Sequence, residues 1–109
     1  MISQRKDFLE QLIEQTALVI AKILHLEKGG DEEKIAIQIN DGLNLLDLQN
    51  VENGTLDFIL EKIKYNTDLA KQVVFIFEKK YKNSKIEKYL TLKNELQNWL
   101  SQKEKVFYL

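Results

Sequence analysis

His25 is the single histidine of this chain, and a metal site built on it would want a second histidine or a carboxylate three or four residues away, as in the Glu-x-x-His pairs of di-metal bundles. Lys22 lies three residues before it and Gly29 four after, so it reads as a histidine near a helix end, where the dipole favours it. Glu10 and Glu14 stand one helical turn apart. Two carboxylates on one face can hold a cation or share a proton, but no cleft is implied around them and they read as solvated surface. Thr55, Thr67 and Ser84 fall where helix caps belong, and no G-x-S-x-G elbow accompanies any serine. Gly29-Gly30 lacks the spacing of a phosphate-cradling loop. There is no cysteine, hence no thiolate nucleophile, thiolate metal site or disulfide. The expectation is a chain with no catalytic residue, no metal and no cofactor: not an enzyme.

Charge is more informative than any single residue. The net charge of −1 gives no overall pull toward nucleic acid or an anionic membrane. Its distribution is uneven, however. Residues 1–30 carry four basic and four acidic groups, residues 31–61 carry eight acidic groups against Lys34 alone (net −7), and residues 62–109 carry eleven lysines against five acids (net +6). Either the acidic middle faces the basic end inside one domain, or the surface is bipolar and suits head-to-tail self-association or two differently charged partners. The densest basic run is Lys79, Lys80, Lys82, Lys85, Lys88 and Lys93, with Tyr81 and Tyr89 interleaved. Aromatics between lysines can stack on bases while the charges hold phosphates, which makes this run a candidate nucleic-acid surface. Against that reading, both tyrosines fall on expected core stripes and the run contains no arginine, the better reader of phosphates and bases. The chain ends Val106-Phe107-Tyr108-Leu109. Phe107, Tyr108 and Leu109 either dock on the first helix or form an exposed apolar tail that inserts into a protein partner or a second copy.

The elements that would position these groups are all helical. The chain has no proline, so nothing interrupts a helix at the roughly 3 kcal/mol that an interior proline costs. In the stretch from Asp7 to Lys28, apolar and small residues (Leu9, Leu12, Ile13, Thr16, Ala17, Ile20, Ile23, Leu24) recur at three- and four-residue steps. From Ala17 to Leu24 only Lys22 is polar, which predicts a helix covered on every side, the centre of the core. Gly29-Gly30 should end it, and Gly30 or Asp31 should cap a second helix with the stripe Ile35, Ile39, Leu43 and Leu46. Gly42 sits inside that helix, where a close approach of another helix or a kink would explain it. Asp47–Gly54 reads as loop, and Thr55 should cap a short third helix. Thr67 or Asp68 should cap a fourth, and although Val73–Phe77 has strong β propensity, no partner strand exists for it, so helix is preferred. Ser84-Lys85-Ile86-Glu87 matches a capping box that would start a last helix at Lys85.

Gly30-Asp31-Glu32-Glu33, followed by Ile39-Asn40-Asp41-Gly42-Leu43, resembles the second helix of an uncharacterised family of small bacterial helical proteins, which reads G-D-x-E and then I-N-[ED]-[AG]-L. Asp7-Phe8, Gln11–Glu14 and Ala21–Leu24 are similar to the first helix of that family, so the resemblance spans residues 7–46. The second helix also resembles half of a tetratricopeptide unit, although no 34-residue period runs through the chain. The resemblance implies a fold and a protein-binding groove; it carries no catalytic residue.

The resulting expectation is a single all-α domain over residues 1–109. It has five helices, near 7–28, 31–46, 55–65, 68–82 and 85–105, in antiparallel pairs around a central N-terminal helix, tetratricopeptide-like or an irregular bundle. Its expected work is non-catalytic protein interaction or a structural role, with a protein partner or self-association as a homodimer. Nucleic-acid binding through Lys79, Lys80, Lys82, Lys85 and Lys88 is the alternative. With no secretory leader, no cysteine and no apolar run near the roughly 20 residues that cross a bilayer, the expected location is the cytoplasm, away from membranes.

Overall fold

Five helices make up the computed structural model, which describes residues 3–108, and the side chains of 8–51 and 53–104. They are α1 (Ser3–Gly29), α2 (Glu32–Leu45), α3 (Leu56–Lys62), α4 (Thr67–Ser84) and α5 (Glu87–Tyr108), with a 3₁₀ turn at Val51–Asn53. Among the described residues there is no strand. Val73–Phe77 is helical, as the lack of a pairing strand requires.

The joints follow from local chemistry. Gly30, at φ 71°, takes the left-handed turn that ends α1, and its N–H reaches Leu26 O at 3.1 Å. Asp31 then caps α2 by accepting from Lys34 N at 3.2 Å, so two residues separate antiparallel helices. Asp47, also left-handed, closes α2: its N–H bonds Asn44 O at 3.1 Å and that of Leu48 bonds Leu43 O at 2.8 Å, a Schellman motif without glycine. The same motif ends α3, with Lys64 N on Glu61 O at 3.2 Å and Tyr65 N on Leu60 O at 2.8 Å. It stops α3 at Lys62, short of the expected end near residue 65. Thr55 caps α3 as expected, accepting from Phe58 N at 3.3 Å.

Two caps differ from expectation. Asn66, in extended conformation, caps α4 by accepting from Leu69 N at 2.9 Å, which leaves Thr67 and Asp68 inside the first turn. Three capping-competent residues stand in a row there, and the first of them takes the position. Ser84 is the last residue of α4 rather than the cap of α5: its hydroxyl donates to Lys80 O at 2.7 Å and accepts from Ile86 N at 3.3 Å. Lys85 is left-handed at φ 63°, and α5 starts at Glu87 instead of Lys85.

The centre of the bundle is α4. It packs against α5, α1 and α2, and its Leu69, Ala70, Val73, Ile76 and Phe77 are buried. Phe77 meets the buried Tyr89 of α5 edge to face, with centroids 5.4 Å apart. Gln72 of α4 donates to Ile13 O of α1 at 2.9 Å. Gly42 is a point of close approach, as one of its two readings required: a Cβ there would lie 3.1 Å from Ile76 Cδ1 and 3.3 Å from Val19 Cγ1. The buried residues form one cluster that includes Leu48 and Val51 from the connection between α2 and α3.

The expectation that α1 is the covered central rod is overturned. It touches α2 and α4 only along one arc, with Leu12, Thr16 and Ile23 buried there. Ala17, Ala21, Leu18 (63% exposed) and Leu24 (46%) face water. Two neighbours cannot enclose a helix, whatever its composition, and α5, which would have to supply the third side, is held by α4.

Candidate interaction surface

The outer side of the α1–α2 hairpin carries the candidate site. Leu18, Ala21 and Leu26 of α1 and Ile37 of α2 line an open groove of about 510 Å³. Lys22, His25, Lys34 and Gln38 line it too and give it a polar, largely cationic edge. Helical geometry decides what reaches this groove. Ile35 and Ile39 lie on the inner stripe of α2 and are 8% and 1% exposed, whereas Ile37, half a turn from both, is 57% exposed. On α1, Leu18, Lys22 and His25 follow one another at four and three residues and share one outward face. Gly42 lets α2 come close enough to α1 for the two outer faces to form one surface. Lys34 makes a loose contact with Asp31 at 3.8 Å, both side chains being well exposed. The groove offers apolar area with cations beside it. Its lining includes no carboxylate to serve as acid or base beside His25.

The lysine run is split by the fold. Lys79 pairs with Glu27 of α1 at 2.8 Å and lies over the Phe75 ring. Lys80 donates to Asn40 of α2 at 3.2 Å, with its ammonium 5.8 Å from the Tyr89 ring centroid. Both thus tie α4 to the hairpin. Lys82 points toward Glu78 at 3.9 Å, and Lys85 lies over the Tyr81 ring. Lys88 lines a different recess with Asp57, Glu95 and Trp99. Of the two interleaved tyrosines, Tyr89 is in the core. The run therefore does not form one basic face with two stacking rings. Phe107, Tyr108 and Leu109, the other expected site, lie outside the described side chains.

Among the described residues no cluster of three metal-ligating side chains exists, and no helix is long and apolar enough to cross a membrane. No family model, curated protein or solved structure matches the chain.

Two further polar features bear on stability. Thr16 Oγ1 and Gln72 Oε1 are buried without a hydrogen-bond partner on α1 and α4, the pair of helices that Gln72 Nε2 joins. Between the end of α2 and α3, the Lys62 ammonium hydrogen-bonds and attracts the Asp47 carboxylate and holds its pKa below the ordinary value.

The groove residues were within reach of the sequence in part. Ile37 stands off the 35–39–43–46 stripe, a direct signal that it faces outward. Leu18 gave none, nor did Leu24 outside the groove, because apolar residues on every side of a helix look the same before its neighbours are known.

Proposed function

We propose that this chain is a non-catalytic protein-interaction module whose docking face is the outer side of α1 and α2. The observation that carries the reading is the exposure of Leu18 and Ile37 in one open groove of the hairpin, edged by Lys22, Lys34 and His25, with Leu24 exposed elsewhere on α1. Large apolar side chains grouped on a surface cost free energy in water, and covering them under a partner is favourable by about 25 cal/mol per Å². The antiparallel α1–α2 pair is in keeping with the resemblance to the uncharacterised bacterial family and to half a tetratricopeptide unit. A chain without cysteine depends on no disulfide and so suits the cytoplasm, where thiols are kept reduced. Nucleic-acid binding has less behind it, since Lys79 and Lys80 are engaged on α1 and α2.

A photo-crosslinking side chain placed at residue 18, at 37 and, as a control, at the exposed residue 98 tests the reading in the cells that make the protein. Protein adducts at 18 and 37 and none at 98 are expected. Adduct-free protein at both hairpin positions would overturn the assignment of this face.

A further inference from the structure

The outward arc of α1 is ordered by charge along its length. Glu10 and Glu14 lie toward its N-terminal end, Ala17, Leu18 and Ala21 in the middle, and Lys22, His25 and Lys28 toward its C-terminal end. All of them are exposed. The helix dipole, which acts near the helix ends, favours Lys28 and His25 but does not account for Glu10, Glu14 or Lys22. Glu10 and Glu14 stand seven and eleven residues into a helix that begins at Ser3, and Lys22 stands seven before its end.

From this order we infer that the occupant of the face is a second copy of the chain, with the two α1 helices antiparallel about a two-fold axis near residues 19 and 20. A parallel pair would set Glu10 and Glu14 against their own copies and Lys28 against Lys28. The antiparallel pair sets Glu14 against His25 and Glu10 against Lys28, each twice by symmetry. In that same register Leu18 of each copy meets Ala21 of the other, a large side chain on a small one, and the alanines let the helix axes come close. Ile37 and Leu24 border the seam on its two sides. A seam of a few turns falls at or below the roughly 1,200 Å² that marks the low end of specific interfaces, which puts the dimer among weak, transient contacts. The inference rests on the outer hairpin being a docking surface and adds what docks there.

Sedimentation equilibrium of the purified full chain, from about 10 to 500 µM in low salt, should show a monomer–dimer equilibrium that weakens in high salt. Glu10→Lys with Glu14→Lys makes the face basic throughout; His25→Glu with Lys28→Glu makes it acidic at both ends, with Lys22 left between them. Each double variant alone should lose at least about tenfold in self-association through like-charge contact. An equimolar mixture of the two should restore a 1:1 dimer. All four positions are solvent-exposed, and circular dichroism checks that the helices persist. A wild-type monomer at every concentration, a dimer indifferent to the double variants, or a mixture that stays monomeric would each overturn the antiparallel pairing. None of these bears on the crosslinking result in cells, where another protein can still occupy residues 18 and 37.

Discussion

Ala17–Leu24 of α1 and Val73–Phe77 of α4 are both almost wholly apolar, and the fold treats them differently. In α4, Val73, Ile76 and Phe77 are out of contact with water, and Val74 and Phe75 are partly covered. In the α1 stretch only Ile23 is fully enclosed, while Leu18 and Leu24 stand in solvent. What separates the two stretches is the number of neighbours: α4 has α1, α2 and α5 around it, and α1 has α2 and α4. Apolarity all round a helix states a demand for cover. Where the chain itself leaves the demand unmet, the remainder is available to another molecule.

The contrast can be broken most directly by truncation. Phe77→Ala should cost about 3–5 kcal/mol in urea unfolding, because it empties a closed space against Tyr89, whereas Leu18→Ala should stay within about 0.5 kcal/mol for the monomer. Comparable losses at the two positions would mean that α1 is enclosed in solution. Gly42→Leu comes next, at a cost of about 1–3 kcal/mol, since its side chain must displace both Ile76 and Val19 where α2 crosses α4 and α1. Thr16→Val should sharpen the comparison from the other side. It removes an unpaired hydroxyl from the buried arc of α1 at nearly constant shape and should raise stability by about 1 kcal/mol, read as a higher urea midpoint with an unchanged slope. The smallest effect is expected outside both helices, at the exposed Asp47. Its carboxyl titrates lower in the folded chain than in the unfolded one, so the ion pair with Lys62 stabilises the fold above the ordinary value of 3.8 and stops doing so as pH falls through the lower folded value. Asp47→Asn should flatten that acid limb of the stability profile and leave the α1–α4 contrast untouched.

Features governed by near neighbours in sequence were legible in the residues. The five helices, the Gly30 turn, the Asp31 and Thr55 caps and the inner stripe of α2 all depend on contacts within a few residues, and each appears as expected. The helical state of Val73–Phe77 followed from a negative, the lack of any strand to pair with. Ser84 shows the limit of such local patterns: S-x-x-E fits a serine that caps the next helix and equally one that closes the previous helix, and the left-handed Lys85 decides between them. The centre of the bundle and the fate of the lysine run depend on packing partners 40 to 59 residues away, such as Asn40 for Lys80 and Ile13 for Gln72. No window along the sequence contains both members of those pairs. The exposed face of α1 was hidden for the same reason, and Ile37 alone among the groove residues announced itself by its spacing.

The longest connection of the fold, between α2 and α3, is pinned by Leu48 and Val51, neither of which has any surface in contact with water. A long joint is normally where a chain is nicked, tagged or re-cut into new termini with least harm. Here such surgery would pull two plugs out of the interior, although Gln49, Asn50 and Asn53 beside them are exposed. The exposed Gly29-Gly30 bend, short as it is, leaves open space where a Cβ would stand at either glycine and is the gentler place to open the chain.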